Sequence, residues 1–576
     1  MSVILGIGGY HHDASAALVV DGAITGAVAE ERLTRVKHQR GMPCRAAAAL
    51  LEQAGLQGRD IDEMAVFWSP LRAAAEGAAY RLSRLFHDPL HAAGYIGYEL
   101  FTNARLGHEV IRFARSLGPT VRVRFVEHHL AHAAAAWLTS GEAEVSILSV
   151  DAFGERISTW LGSATDWQHG DRRLGCLGLG RFPHSLGSFY AAVTQYLGFD
   201  DLDDFKVMGL APYGSERLVE RFSRIARHDG EGRVRLDLDY FRFQDRPRFR
   251  GMVSRRFVEE FGPPRQPGAL LEDHHRDVAR AAQAALEEAL HGLVLHLGSR
   301  GNGGPLLCLA GGVALNSVAI GRIRRSARFG GQGFSDLWVQ PAAADDGTAL
   351  GAALLRAQQR GDLEGPQRMA HAFLGPDLSE AECQAALDRA GQPWARPRDI
   401  ACKAARALAS GRIVARAVGR SEWGPRALGH RSILADPRAA GTRDRINARV
   451  KHRESFRPFA PAVLEERAAE YFDLPGPSPF MTAVYPARSR AQEQCPAVVH
   501  VDGSARVQTV SRTTQPGFAT LLRAFERETG VPVLLNTSFN VRGEPIVQGA
   551  EDALRCFLST GIDAMILGPF WVEKSG

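Results

Sequence analysis

Apolar residues come in short runs along this chain, and polar, glycine-rich loops separate them. Val3 to Gly8 is an unbroken apolar run and reads as a buried strand. Ala16 to Val20 and Ile24 to Ala29 flank Asp21-Gly22, which predicts a β-hairpin. The polar loop Gly8 to Ser15 separates the first two strands, and a helix is predicted near Pro43 to Ala54. Part of this pattern returns. Val145 to Val150 is a strand, Asp151 to Glu155 a glycine-containing loop, and Ile157 to Gly162 a second strand. A strand, polar loop and strand used twice implies a duplicated α/β architecture with a ligand cleft between its halves. Between the copies, Val121 to Val126 alternates as a strand should, and Ala131 to Leu138 is a good helix. Further on, Leu306 to Leu309 is a buried strand that enters the turn Ala310 to Asn316 and then a helix. Leu337 to Gln340 enters the loop Pro341 to Gly347 and the helix Thr348 to Gln358. Residues from Gln359 to about Ala395, with the breaker-rich Arg360 to Pro366, read as a junction. The expected division is a first domain over 1–362, a junction over 363–395 and a second domain over 396–576.

Composition narrows this reading. The chain of 576 residues is 45% hydrophobic and 23% charged, which is ordinary for a soluble globular protein with two or more domains. No apolar run approaches the roughly 20 residues of a membrane span, and the N-terminus lacks the basic flank and apolar core of a signal peptide. Seven scattered cysteines without a CxxC pair predict reduced thiols and a cytoplasmic setting. A net charge of +5 is too mild to imply nucleic acid.

The chemistry sits in a few clusters. His128 and His132 are four apart, so on a helix their imidazoles share one face. Asp151 ends a strand, and Asp345 or Asp346 follows another. Two histidines and carboxylates so placed suit a divalent metal with mixed nitrogen and oxygen ligands. The same residues would also serve as a helix cap and a packed core imidazole, and Asp345 or Asp346 as an N-cap. His129, about 100° round the helix from His128, should point elsewhere. Gly311 and Gly312, at a strand-to-helix turn, would let backbone approach an anionic ligand closely; the alternative is a plain turn, where paired glycines are also common. The second domain sets Arg426, Lys451, Arg457 and Arg506 beside Gly-Pro and Pro loops, with Asn536 and Ser538 on a later strand. That set suits a polyanion such as a nucleotide or carbamoyl phosphate, the alternative being a solvated basic surface.

Several longer motifs, read in order, resemble one family. His12-Asp13-Ala14-Ser15, Ala29-Glu30-Glu31-Arg32 through Lys37-His38, and His128-His129-Leu130-Ala131-His132 are similar to the NodU/CmcH-type O-carbamoyltransferases of antibiotic and nodulation-factor biosynthesis. So are Ala310 to Asn316, Gly424 to Gly429, Phe456 to Pro461 and Asn536 to Asn540. The resemblance implies an actin-like N-terminal domain of the threonylcarbamoyl-transferase kind and a YrdC-like α/β C-terminal domain. It implies that ATP and carbamoyl phosphate give carbamoyl-adenylate at the second domain, and that the first transfers the carbamoyl group to a hydroxyl of a small molecule. It implies a divalent metal, typically iron, on His128, His132, Asp151 and Asp345, with His12 as the catalytic base. Lys37, Gly311, Gly312 and Asn316 would meet the nucleotide or carbamoyl group. Arg426, Lys451, Arg457 and Arg506 would neutralise the anions, while Asn536 and Ser538 would fix the carbamoyl amide or phosphate.

The chain departs from the family pattern in places. Ala152 and Phe153 stand where relatives have a glycine and its neighbour, and Phe205 replaces the glycine of Gly-Lys-Val-Met-Gly. Tyr10 and His11 sit where relatives vary, which points to acceptor recognition. The partner expected is a small-molecule hydroxyl acceptor, with no nucleic acid and no membrane; a homodimer is left open. The alternatives are carbamoylation or threonylcarbamoylation of tRNA or protein, and a nonenzymatic actin-like ATP-binding protein.

Overall fold

The computed structural model describes residues 1–83, 89–165, 173–244, 251–301, 303–329 and 333–574. Contacts divide the chain into two units, and neither is contiguous. The first comprises Met1–His11, Ser15–Ile24 and Leu56–Arg368; the second comprises His12–Ala14, Thr25–Gly55 and Met369–Gly576.

The first unit holds two sheets. In one, β1 (Val3–Gly8), β2 (Ser15–Val20), β3 (Ala23–Ala29), β4 (Glu63–Val66) and β5 (Arg122–Phe125) take the order β3-β2-β1-β4-β5, with β3 leaving the unit at Thr25. In the other, β6 (Val145–Gly154), β7 (Ile157–Thr165), β8 (Arg173–Arg181), β9 (Leu306–Ala310) and β10 (Asp336–Val339) take the order β10-β9-β6-β7-β8. In each sheet the first strand pairs antiparallel with the second and parallel with the fourth, and the fourth runs parallel to the fifth. The two sheets therefore repeat one topology, the internal duplication that the strand-loop-strand pattern predicts. The hairpin after β2 turns at Asp21 (φ 47°) and Gly22 (φ 77°), the left-handed pair of a type I′ turn.

Several helices set the sites. α1 (Glu30–Thr34) and α2 (Cys44–Gln53) belong to the second unit; α3 (His128–Leu138), α4 (Ser317–Phe329) and α5 (Thr348–Arg360) belong to the first. The alanines of α3 have a packing reason. Every residue of α3 except Leu130 is buried, and α3 packs against α5, β6 and β9. A Cβ on Gly351 of α5 would lie 1.8 Å from the Ala131 carbonyl oxygen, and one on Gly6 of β1 would lie 1.9 Å from that of Ala349. Small side chains let helix and strand backbones nearly touch here.

Some boundaries differ from the sequence expectation. β5 spans Arg122–Phe125, shorter than Val121 to Val126, and is largely exposed along one edge of its sheet. β6 runs past Val150 to Gly154, with a register shift that accommodates Asp151, Ala152 and Phe153. α5 continues to Arg360, where Gly361 (φ 82°) closes it in the left-handed conformation.

The second unit is built on a sheet of eight strands. They are β11 (Trp394–Ala395), β12 (Val414–Ala417), β13 (Arg431–Ala435), β14 (Ala460–Leu464), β15 (Gln508–Val510), β16 (Val533–Ser538), β17 (Ala564–Leu567) and β18 (Phe570–Glu573), ordered β11-β18-β17-β12-β13-β16-β14-β15. Leu408, Phe518, Leu522, Phe525 and Trp571 form part of its core. Polar reach ties residues 25–55 into this unit. The Ala27 amide donates to the Leu374 carbonyl (3.0 Å), and the guanidinium groups of Arg32 and Arg35 donate to the carbonyls of Gly424 (2.8 Å) and Pro545 (2.7 Å). The Glu30 carboxylate accepts from the amides of Arg45 (3.0 Å) and Ala46 (2.6 Å), and so caps α2, whose own N-cap is Pro43.

Candidate functional site

His128 and His132 lie one turn apart at the start of α3, and both are 1% exposed. Their Nε2 atoms stand 3.1 Å apart. Asp151 Oδ2, from the bulge of β6, is 3.3 Å from His128 Nε2 and 3.1 Å from His132 Nε2. Asp345 Oδ1, from a short 3₁₀ turn before α5, is 3.7 Å from both. A tetrahedral ion about 2.1 Å from each ligand sets neighbouring ligand atoms about 3.4 Å apart, so this donor set fits a divalent metal. All four ligand atoms lie within 4.8 Å of one another. Two ring nitrogens and a carboxylate in mutual contact need a cation, either a proton or a metal. Burial opposes charge on His132, but hydrogen bonds to Asp151 and Asp345 overcome it and raise its pKa to about 9. Burial likewise works against the Asp151 carboxylate, and the two imidazoles hold it well below the usual range.

The neighbourhood keeps these rings in place. A Cβ on Gly154 would lie 2.1 Å from the His128 ring, so only glycine leaves room for it. The Glu155 carboxylate accepts from the amides of Ser69 (2.5 Å) and His128 (3.2 Å), which fixes the entry to α3. His129 points elsewhere: its ring Nδ1 meets Ser149 Oγ (2.8 Å), and its Nε2 lies 3.0 Å from the Ile157 carbonyl oxygen. Burial, helped by His128 and His132, pushes its pKa down to about 3. The adjacent aspartates also separate. Asp346 turns to the amide of Gly347 (3.0 Å), the residue just before α5.

The turn after β9 comes close to this centre. Gly311 has φ 86°, and a Cβ there would lie 2.2 Å from the Val150 carbonyl oxygen. A Cβ on Gly312 would lie 3.1 Å from Asp151 Oδ1. Asn316 is engaged within the protein. Its amide pairs with Gln283 (2.9 and 3.0 Å), and its Oδ1 accepts from the Ala319 amide (3.1 Å) at the start of α4.

His12 and Lys37 lie in the second unit, on the loops 12–14 and 25–55. His12 Nδ1 is 3.0 Å from Asp13 Oδ2. A carboxylate only accepts, so the proton is on Nδ1 and the lone pair on Nε2, the tautomer a general base needs. Lys37 is half-buried beside His38.

A cationic cluster occupies the rest of the second unit. Lys451, 4% exposed, ends a π-helical turn over Asn447–Lys451. Its ammonium donates to the carbonyl oxygen and hydroxyl (3.2 Å) of Ser538 and to the carbonyl (3.0 Å) and side-chain oxygen (2.7 Å) of Asn540. Burial, then Arg453, lowers its pKa well below the ordinary lysine value. Burial and Arg457 bring Arg426 down to about 10 and Arg453 to about 9. Arg506 is lowered well below the ordinary value by burial and by Arg426, Arg453 and Arg457 together. Asn536, at the centre of the sheet, donates to Gln508 Oε1 (2.8 Å) and the Ala427 carbonyl (3.2 Å), while its own Oδ1 is buried without a hydrogen-bond partner.

The sequence-predicted residues thus fall into three groups: the metal centre, the His12 loop and the cationic cluster. Sequence reading left out Arg453 and Asn540 from the third and Asp13 and His38 from the second. Arg453 sits two residues past Lys451, and Asp13 and His38 lie inside motifs quoted above, so proximity was the available signal.

Comparison with known proteins agrees along the whole chain. The family described as Carbamoyltransferase N-terminus matches residues 3–354, and that described as Carbamoyltransferase C-terminus matches residues 405–574. Nodulation protein NolNO of Sinorhizobium fredii is 39% identical over 98% of this chain and 79% of its own length. Nodulation protein NolO of Bradyrhizobium diazoefficiens is 40% identical over 78% of this chain and 79% of its own. An uncharacterized protein of Synechocystis is 37% identical over all of this chain and 97% of its own. With both halves matched in order, the chain belongs to the carbamoyltransferase family and is a carbamoyl-transferring enzyme.

Proposed function

We propose that this enzyme makes carbamoyl-adenylate from ATP and carbamoyl phosphate in its second unit, then transfers the carbamoyl group to a hydroxyl of a small molecule. The carrying observation is the cationic cluster. Burial, then neighbouring guanidinium groups, Arg457 among them, lower the pKa values of Arg426, Arg453 and Arg506, and the Glu454 carboxylate lies 3.6 Å from Arg457. Such repulsion is tolerated where a polyanion binds, and two anions must meet to form this anhydride. Water cleaves carbamoyl phosphate to carbamate and inorganic phosphate; a carbamate oxygen then attacks the α-phosphorus of ATP, and the bond to pyrophosphate breaks as pyrophosphate leaves. The arginines hold the phosphates, Lys451 orders the Ser538–Asn540 loop, and Asn536 Oδ1 accepts from the carbamoyl amide.

In the transfer step His12 Nε2 takes the hydroxyl proton as the oxygen attacks the carbamoyl carbon and AMP departs. His128, His132, Asp151 and Asp345 would hold a divalent ion, for which the family resemblance suggests iron; when bound it would supply Lewis-acid stabilisation of phosphate charge. The duplicated sheet order supports an actin-like first unit, and the basic, sheet-centred second unit supports a YrdC-like one. Seven free cysteines support a reducing, cytoplasmic setting. Among the described residues no helix is long and apolar enough to cross a membrane. The test is to supply ATP and carbamoyl phosphate and measure pyrophosphate, then to search a panel of hydroxylated metabolites for a carbamoyl mass increment. Pyrophosphate release independent of carbamoyl phosphate would remove the adenylate from the scheme.

A further inference from the structure

Asp13 is shared. Its Oδ2 meets His12 Nδ1 at 3.0 Å, and its Oδ1 meets His38 Nδ1 at 2.7 Å. All three residues belong to the second unit. Main-chain bonds join their loops: the Ala14 amide donates to the Gln39 carbonyl (2.9 Å), and the Glu30 amide donates to the Ala14 carbonyl (2.7 Å). The Glu31 carboxylate accepts from the His38 amide (2.9 Å) and so holds that residue in register. Asp13 (φ 56°) and His38 (φ 54°) both adopt the left-handed conformation, which non-glycine residues rarely take and which clusters at functional sites. His38 Nε2 is buried without a hydrogen-bond partner. A carboxylate only accepts, so His38 Nδ1–H is the donor to Asp13 Oδ1.

We propose that His38 is a positioning residue for the transfer reaction. Through Asp13 it divides one carboxylate's charge between two imidazoles, and so keeps His12 in its proton-accepting form. The charged and titratable groups that face this set include His12 and His38 on Asp13, and Glu31, whose carboxylate holds the His38 backbone and lies within 4.8 Å of the Asp13 and His38 side-chain ligand atoms. Burial works against the Asp13 carboxylate, and the hydrogen bonds from His12 and His38 hold it well below the usual range in spite of that. A carboxylate bonded to His12 alone would attract the imidazolium more strongly, raise the His12 pKa and leave less of the base free at neutral pH. The inference rests on the reading of His12 as the base, and its test separates the two.

The test uses the full chain. Deuterium exchange at the imidazole Cε1, read by tandem mass spectrometry across pH, reports the pKa of His12. His38→Gly keeps the left-handed backbone and removes the donor; His38→Asn keeps both. In His38→Gly the His12 pKa should rise by about half a unit or more, and His38→Asn should hold it near the wild-type value. Added imidazole should pull the His38→Gly value back. In an Asp13→Asn background, His38→Gly should shift His12 no further. An unchanged or lowered His12 pKa in His38→Gly, or His38→Asn behaving like His38→Gly, overturns the proposal. The base itself is tested with preformed carbamoyl-adenylate and water as acceptor. His12→Ala should slow hydrolysis, and a wild-type rate there would remove His12 as base whatever the pKa coupling shows.

Discussion

Three histidines in five positions divide their work by direction alone. His128 and His132 converge with Asp151 and Asp345, while His129, between them in sequence, is tied to Ser149 and the Ile157 carbonyl. Elemental analysis should therefore find metal lost in His128→Ala and His132→Ala and retained in His129→Ala. The last should instead cost about 2–4 kcal/mol of stability in urea unfolding, because it opens a cavity and orphans two buried polar groups. Normal metal content in either ligand variant would rule out the centre. In the second unit the same logic applies to Lys451. Its ammonium is the donor to Ser538 and to the Asn540 side-chain oxygen, so Lys451→Met should release that loop. Carbamoyl phosphate affinity by calorimetry should fall by about 10²-fold, from the lost charge and the disordered loop together. An affinity change below threefold would show that Lys451 lies outside the anion site.

At the scale of elements, the metal centre depends on how closely two helices cross. α3 carries His128 and His132, and α5 begins just after Asp345. Gly351 leaves no room for a Cβ beside the Ala131 carbonyl oxygen. Gly351→Ala should push α5 off α3 and cost about 3 kcal/mol. Metal content should fall with it, since the carboxylate and the imidazoles then separate. A stable, fully metallated Gly351→Ala protein would contradict this account of the crossing. Much at this scale was readable in advance. The type I′ hairpin at Asp21-Gly22, the helix from Cys44 to Gln53 and the buried strand from Leu306 all carry strong local signals. β5 and the end of β6 did not, because an exposed edge and a bulge are set by neighbours and leave little trace in periodicity.

For the molecule as a whole, the proposed division of labour predicts separable defects. Arg457→Ala should stop carbamoyl-phosphate-dependent pyrophosphate release yet still use preformed carbamoyl-adenylate. His12→Ala should do the reverse, with transfer reduced by about 10²–10⁴-fold. Equal loss of both reactions in one folded variant would end the division. Stability should also depend on pH through His430. Its ring stacks on Phe373 (3.6 Å between centroids) and its Nδ1–H donates to the Arg420 carbonyl (2.7 Å). Burial, then Arg416, pushes its pKa down to about 4. The folded state thus keeps it neutral where the unfolded chain takes up a proton. Its contribution is complete above about pH 6.5 and is lost as pH falls toward 4, by about 3 kcal/mol at most. Urea midpoints for His430→Gln should fall less between pH 7 and pH 5 than those of the wild-type chain; equal slopes would assign the acid sensitivity elsewhere.

The sequence by itself determined what local chemistry can encode. Spacing on one helix put His128 and His132 on a common face, alternation and turn residues marked most strands, and long motifs carried the family. Tertiary structure alone decided between neighbours that local rules treat alike. Asp345 faces the imidazoles and Asp346 does not, because the 3₁₀ turn before α5 aims one side chain inward and the other at its own backbone. The tertiary fold also placed residues 12–14 and 25–55 with the second unit, although they begin the chain. That choice follows from arginines and amides that reach carbonyls hundreds of positions away, such as Arg32 to Gly424 and Arg35 to Pro545. The sharing of Asp13 between His12 and His38 is of the same kind. No periodicity links positions 13 and 38; they meet because the backbone of two loops is bonded and because both residues accept a left-handed turn.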